Sequence, residues 1–195
     1  SHKYFDNIPR DEILELLSLS ADVREEANLV VDRASIEAST HVICIHTRRG
    51  DFVDTPKAAP SELEFTVAAT EALVRKASNS TDRPLVVLFG QDREFLRKVQ
   101  GNRTDYVIAG AHHNQNYSPA AEWEFSRRHC KDVLLTASAS TFGWWLAFHA
   151  DGDVYYNKKY EKESGGFGKA FRPEDFFYDH WTAVEVDISG RVLGI

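Results

Sequence analysis

Two hydrophobic rhythms take turns along the chain. Short, nearly continuous apolar runs at residues 41–46, 85–89, 106–109, 132–136 and 154–156 have the length and β-branched content of buried parallel strands. Between them lie stretches whose apolar residues recur at helical spacing: 61–76, 92–100, 118 to about 129, and a fourth that opens at 137–141 and runs through 149. Strand and helix alternating five times over predict an α/β fold, a doubly wound parallel sheet with right-handed crossovers.

Signals at the element ends sharpen this outline. Ser61 followed by Glu64 reads as a capping box, Asp92 as the cap of the helix to Gln100, and Pro119 falls in a first helical turn. Ahead of the first strand, residues 11–19 and 23–38 read as amphipathic helices. Ile13, Leu16 and Leu17 share one face; Val23, Ala27, Val30, Val31 and Ala34 share the other, with Asp22 as N-cap. Residues 1–40 are therefore expected as a short N-terminal helical section and 41–195 as the α/β domain. After Glu161 the rhythm stops: Gly165, Gly166 and Gly168 predict a flexible loop, and residues 187–190 a hairpin.

Composition narrows the class. The chain has 195 residues, 43% hydrophobic and 27% charged, enough for one α/β domain with an ordinary core. A net charge of −7 argues against nonspecific nucleic-acid binding, so any cationic site must be local. No stretch is long and apolar enough to span a membrane, and none reads as a signal peptide. The chain starts Ser1-His2 and contains no methionine, and we expect a piece of a longer product. Asn79, Asn102 and Asn116 each open a tripeptide that fits the N-glycosylation pattern, which favours a secretory-pathway protein. Of the two cysteines, Cys44 is read as a small buried side chain within its strand rather than half of a bridge to Cys130.

Candidate chemistry gathers where strands end, the place at which open α/β sheets bind ligands. His46, Arg48, Arg49 and Asp51 follow the first strand at once. Paired guanidinium groups there suggest a phosphate, held by planar charge-assisted hydrogen bonds, with Asp51 steadying one of them. A surface Arg-Asp turn is the plainer reading. Ser138, Ser140 and Thr141 stand where the fourth strand becomes a helix, whose free N–H groups would accept a phosphate; simple N-capping explains the same hydroxyls. Phe142 could wall a base or sugar, while Trp144 and Trp145 read as packing. Asp92 could accept two hydrogen bonds from a guanine edge or merely cap its helix. The Gly-rich dinucleotide and P-loop signatures are both missing. There is no DxD-type acidic pair and no His/Cys cluster at ligand spacing, and His112-His113 reads as solvated, so no metal is expected.

At these residues a resemblance enters. HTRRGD at 46–51 resembles the HxRRxD motif shared by α1,2-, α1,6- and protein O-fucosyltransferases. SASTFGWW at 138–145 is similar to the S-x-(S/T)-F-(S/G)-W-W segment of the α1,2-fucosyltransferases, glycosyltransferase family 11. LFGQDREF is similar to that family's F-S-D-D-P-E-W stretch, with Gln91 and Arg93 as departures. The resemblance covers residues 42 to about 160.

It implies the C-terminal, GDP-fucose-binding half of a GT-B-type fold with a Rossmann-like donor domain. It also implies a glycan acceptor, no cofactor beyond the donor, and residence in the Golgi lumen. A membrane anchor would lie elsewhere in the full-length protein, and this part would touch neither membrane nor nucleic acid. Carried over by position, Arg48 would hold the β-phosphate and His46 would lie near the nucleotide. Asp51 would brace the arginines, with Arg49 more structural. Asp92 would read guanine, and Ser140, Thr141 and Phe142 would close over the diphosphate.

The implied reaction is inverting transfer of L-fucose to a galactose 2-hydroxyl. Asp54 and Glu62, close after the arginine loop, are the carboxylates available for the acceptor proton. Only about forty residues precede the first motif, where the family has a further domain, so donor binding without transfer is expected. Two other readings stay open: a noncatalytic GDP-sugar-binding module, and a protein O- or α1,6-type fucosyltransferase that shares only the first motif.

Overall fold

The structure, a computed structural model, describes residues 2–79, 83–111, 117–162, 167 and 172–195. Its sheet grows from β1 (His41–His46), flanked by β2 (Pro84–Phe89) and β4 (Cys130–Leu135). The other strands are β3 (Tyr106–Ile108), β5 (Asp153–Asn157), β6 (Thr182–Val186) and β7 (Val192–Leu193). They lie in the order β3-β2-β1-β4-β5-β6-β7. Every neighbouring pair is parallel except β6 and β7.

Because successive side chains of a strand face opposite ways, a strand apolar throughout needs a core on each side. In β1, Val42 and Cys44 join one apolar cluster, with Val30, Phe125 and Trp144. Ile43 and Ile45 join the other, with Phe65, Leu73 and Leu96. Helix α5 (Leu63–Ser78) and α6 (Arg93–Gln100) cover the second face; α7 (Pro119–His129) and α8 (Thr141–His149) cover the first. This is the Rossmann-like, doubly wound α/β arrangement expected. A sixth parallel strand, β6, extends it beyond the five runs, and the hairpin around residues 187–190 joins β6 to β7.

Several local readings are corrected. The single helix expected over 23–38 is broken into α2 (Ala21–Glu26), a 3-10 turn (Ala27–Leu29) and α3 (Arg33–Ala38). The break lets Val30 and Val31 reach the core and the Val30 carbonyl accept from Gly110 N–H at 2.8 Å. Ser20, not Asp22, caps α2, accepting from Val23 N–H at 3.4 Å, while Asp32 caps α3. The helix over 11–19 is shorter, α1 (Arg10–Leu16). These N-terminal elements share the sheet's core through Ile13, Ala27, Val30 and Val31.

The cysteines overturn another reading. Cys44 and Cys130 form a disulfide, with Cα atoms 5.7 Å apart on the adjacent strands β1 and β4. Strand-length and apolarity described the surroundings of Cys44 correctly, but only the pairing order brings Cys130 beside it. Gly165, Gly166 and Gly168 of the expected loop and the His112-His113 pair lie outside the described residues.

Candidate functional site

The chain runs from β1 outward to β2 and β3, then crosses back so that β4 lies on the other side of β1. The carboxyl ends of β1 and β4 thus mark the topological switch point, where the helices on either side diverge and leave a crevice. A cavity of about 530 Å³ opens there, lined by His46, Thr47, Arg48, Arg49 and Gly50 after β1 and by Gly90, Gln91 and Arg93 after β2. Gly110, Tyr117, Pro119, Glu122 and Phe142 complete its wall.

The two arginines differ in their supports. Arg48 Nε donates to Oδ1 of Asp51 at 2.9 Å, and its Nη2 makes an ion pair with the same oxygen at 2.9 Å, which leaves Nη1 without a hydrogen bond among the described residues. Arg49 is held by Asp92 instead: its Nε donates to Oδ2 at 3.0 Å, and its Nη1 donates to the Ser61 carbonyl at 2.8 Å. Asp51 therefore braces Arg48 alone. The other oxygen of Asp92 caps α6, accepting from Phe95 N–H at 3.0 Å. That backbone bond, with the Arg49 guanidinium behind it, holds the Asp92 carboxyl below the usual carboxylate range.

His46 is fully enclosed at the end of β1. Burial, aided by the neighbouring Arg48 charge, lowers its imidazole to about 3, so the ring is neutral. Its Nδ1 has no partner among the described residues. The ring lies against Gly143 of α8, where a Cβ would come within 2.5 Å of that nitrogen. Phe142 stands 5.8 Å from the His46 ring and 5.3 Å from Trp123, and so walls the cavity rather than filling the core.

Of the other residues named from the sequence, Ser140 caps α8, accepting from Gly143 N–H at 3.3 Å, and Thr141 is exposed in its first turn. Ser138 is fully buried, its hydroxyl donating to the Asn157 carbonyl at 2.6 Å. Asp54 is exposed at the end of α4 (Gly50–Asp54), and Glu62 is exposed and paired with Lys159 at 3.0 Å; neither lines the cavity. Asn79 and Asn102 are exposed, and Asn116 lies outside the described residues. Among the described residues no three His, Cys, Asp or Glu side chains are grouped as a metal site would need.

Two residues in the site escaped the sequence reading. Ser61 does not form the capping box with Glu64: it is fully buried, its backbone and hydroxyl turned toward the arginine loop, and α5 starts one residue later without a side-chain cap. Glu122 accepts from the Tyr117 hydroxyl at 3.2 Å. Burial pushes its carboxyl up to about 7, against the pull of Tyr117 and Arg93. An acid in the first turn of α7 looks like an ordinary dipole partner in sequence; only the crossover brings it into the cavity that the arginines line.

Comparison with known proteins adds the family. The profile described as "Glycosyl transferase family 11" matches residues 1–185. A "Galactoside 2-alpha-L-fucosyltransferase" of Caenorhabditis elegans is 32% identical over 98% of this chain and 52% of its own length. "Galactoside alpha-(1,2)-fucosyltransferase 2" of Bos taurus and of Rattus norvegicus are each 29% identical over 92% of this chain and 52% and 50% of theirs. The chain thus spans about half the length of these curated relatives. No solved structure matches it.

Proposed function

The chain belongs to glycosyl transferase family 11, and from that premise we propose that it is the donor-binding part of an inverting α1,2-fucosyltransferase that uses GDP-fucose and a galactoside acceptor. The observation that carries this reading is the guanidinium of Arg48 at the switch point, anchored by Asp51 on one edge and open on the other. In a single displacement the acceptor oxygen bonds to the anomeric carbon as the bond from that carbon to the β-phosphate oxygen breaks. Negative charge grows on the departing oxygen, and a fixed cation there stabilises the transition state more than the ground state. The first turn of α8 adds free backbone N–H groups and the positive end of its dipole. Phe142 offers a flat apolar wall to the nucleoside or sugar.

Other roles follow from the supports. Arg49, tied to Asp92 and Ser61, shapes the loop more than it binds. Asp92, filled on one oxygen by the α6 cap and on the other by Arg49, keeps free lone pairs for a guanine edge. Glu62 is paired with Lys159 whereas Asp54 has no side-chain partner among the described residues, and Asp54 is therefore our candidate to take the acceptor proton. Exposed Asn79 and Asn102 and the Cys44–Cys130 disulfide support residence in an oxidising secretory compartment, the Golgi lumen in this reading. The diphosphate is held by protein cations and amides, without a metal.

Titration calorimetry with GDP, UDP and ADP tests this directly. GDP should bind tightest, with the same affinity in EDTA as in manganese; equal affinities for the three, or an absolute manganese requirement, would overturn it. An acceptor screen on the full-length protein, with β-galactosides against N-glycan cores and peptide domains, tests the linkage.

A further inference from the structure

Beneath the arginine loop runs a buried line of hydroxyls. The Arg48 backbone N–H donates to Ser61 Oγ at 2.9 Å, Ser61 Oγ lies 2.6 Å from Thr136 Oγ1, and Thr136 Oγ1 donates to the His46 carbonyl at 2.9 Å. An amide N–H can only donate and a carbonyl can only accept. The middle bond therefore has one direction, from the Ser61 hydroxyl to Thr136. Ser61 and Thr136 are both fully buried, so no water replaces a lost link.

The line leaves the backbone at His46 and rejoins it at Arg48, closing a ring around Thr47. On the opposite side, the Thr47 N–H and hydroxyl both donate to the Phe89 carbonyl at 2.9 Å. The strand end is thus fixed from β2 through Thr47 and from β4 through Thr136. Ser61 reaches both arginines: its N–H donates to the Arg48 carbonyl at 2.8 Å, and its own carbonyl accepts from Arg49.

Resting on the donor-binding reading above, we propose that Ser61 is a positioning residue for Arg48, setting the guanidinium against the β-phosphate by relaying the fixed end of β4 to the arginine loop. The segment before Ser61 has its own anchors. Ala58 and Ala59 are buried, Ala59 N–H donates to the Tyr160 carbonyl at 3.1 Å, and the Lys162 ammonium donates to the Val53 and Thr55 carbonyls at 2.7 and 2.6 Å. Loss of the Ser61 hydroxyl therefore frees the Arg48 amide locally without releasing the loop.

The test compares GDP with GMP, which differ only in the β-phosphate. Calorimetry on Ser61→Ala, Thr136→Val and Thr136→Ser should be run beside thermal unfolding. Ser61→Ala and Thr136→Val should each lose about tenfold in GDP affinity, as expected for an orphaned buried group, while GMP affinity changes less than twofold. Thr136→Ser keeps the hydroxyl and should retain the GDP-over-GMP preference. If the preference survives in both Ser61→Ala and Thr136→Val, the positioning role is wrong. If GDP and GMP affinity fall together in step with the unfolding midpoint, the role is merely structural and the proposal likewise fails. Should Ser61→Ala not fold, the isosteric Thr136→Val decides alone. No preference for GDP in the unsubstituted protein would overturn the donor-binding reading itself.

Discussion

Arg48 carries the largest predicted effect at the scale of single residues. Its Nε–Nη2 edge is already matched to Asp51, and the remaining edge is a planar fork that an ammonium cannot reproduce. Arg48→Lys should therefore weaken GDP binding nearly as much as Arg48→Ala, by about 1.5–3 kcal/mol; calorimetry showing Lys within twofold of the unsubstituted protein would remove the phosphate assignment. Glu122 allows a prediction of opposite kind. A carboxyl raised in the folded state binds its proton more tightly there than in the unfolded chain, so its contribution favours folding at low pH. That contribution is lost as pH rises from about 4.5 through about 7. Glu122→Gln should raise the unfolding midpoint at pH 8 and leave it almost unchanged at pH 4, below the unfolded value; equal shifts at the two values would mean the carboxyl is not raised. The cationic pair was legible because strand-then-arginine is a local pattern. Glu122 was not, because its place in the same cavity depends on a crossover that no local pattern encodes.

At the scale of elements, α8 and β1 meet at one glycine. A methyl group at position 143 would lie 2.5 Å from His46 Nδ1 and 2.8 Å from Cε1, and the ring is buried, so one of the two must shift. Gly143→Ala should cost about 1–3 kcal/mol of stability, in the range of core overpacking. Adding His46→Ala to it should restore part of that loss in a double-mutant cycle. Additive destabilisation would show that the contact is not the cause. Strands and long helices were readable because each has one dominant rhythm. The N-terminal helix over 23–38 was misread because its apolar positions fit a helical face, yet Val30 and Val31 serve the core better from a break. The Ser61–Glu64 pattern failed for a related reason: a buried hydroxyl with two partners beside the switch point outweighs one exposed cap.

At the scale of the whole molecule, two features stand apart from the sheet. One is the disulfide, which ties β1 to β4 across 86 residues. Closing a loop of that length restricts the unfolded chain and should contribute about 2–4 kcal/mol. Replacing both cysteines by alanine should lower the denaturant midpoint accordingly; an unchanged midpoint would contradict this. It was missed because Cys44 is as buried as any core residue and strand order is not written in the spacing of two cysteines. The other is the match to only about half of each curated relative. In-line transfer requires donor and acceptor to be held together. On the donor-binding reading proposed above, this chain should bind GDP yet show no transfer to lactose; measured turnover by it would overturn that reading.

The placement of β1 also dictates a sequence of events during synthesis. β1, β2 and β3 emerge early and can pair, but the second neighbour of β1 is β4, which follows only after α5, α6 and α7 have been made. Until then β1 presents a bare, apolar edge of the kind that pairs with wrong partners, and Cys44 carries an unpaired thiol on it. The nascent protein is thus most vulnerable between the emergence of β1 and that of β4. Nucleotide cannot help at that stage, since the crevice that would receive it exists only once β4 has docked. A chain arrested before Cys130 should need a chaperone to stay soluble, and one extended past Leu135 should not.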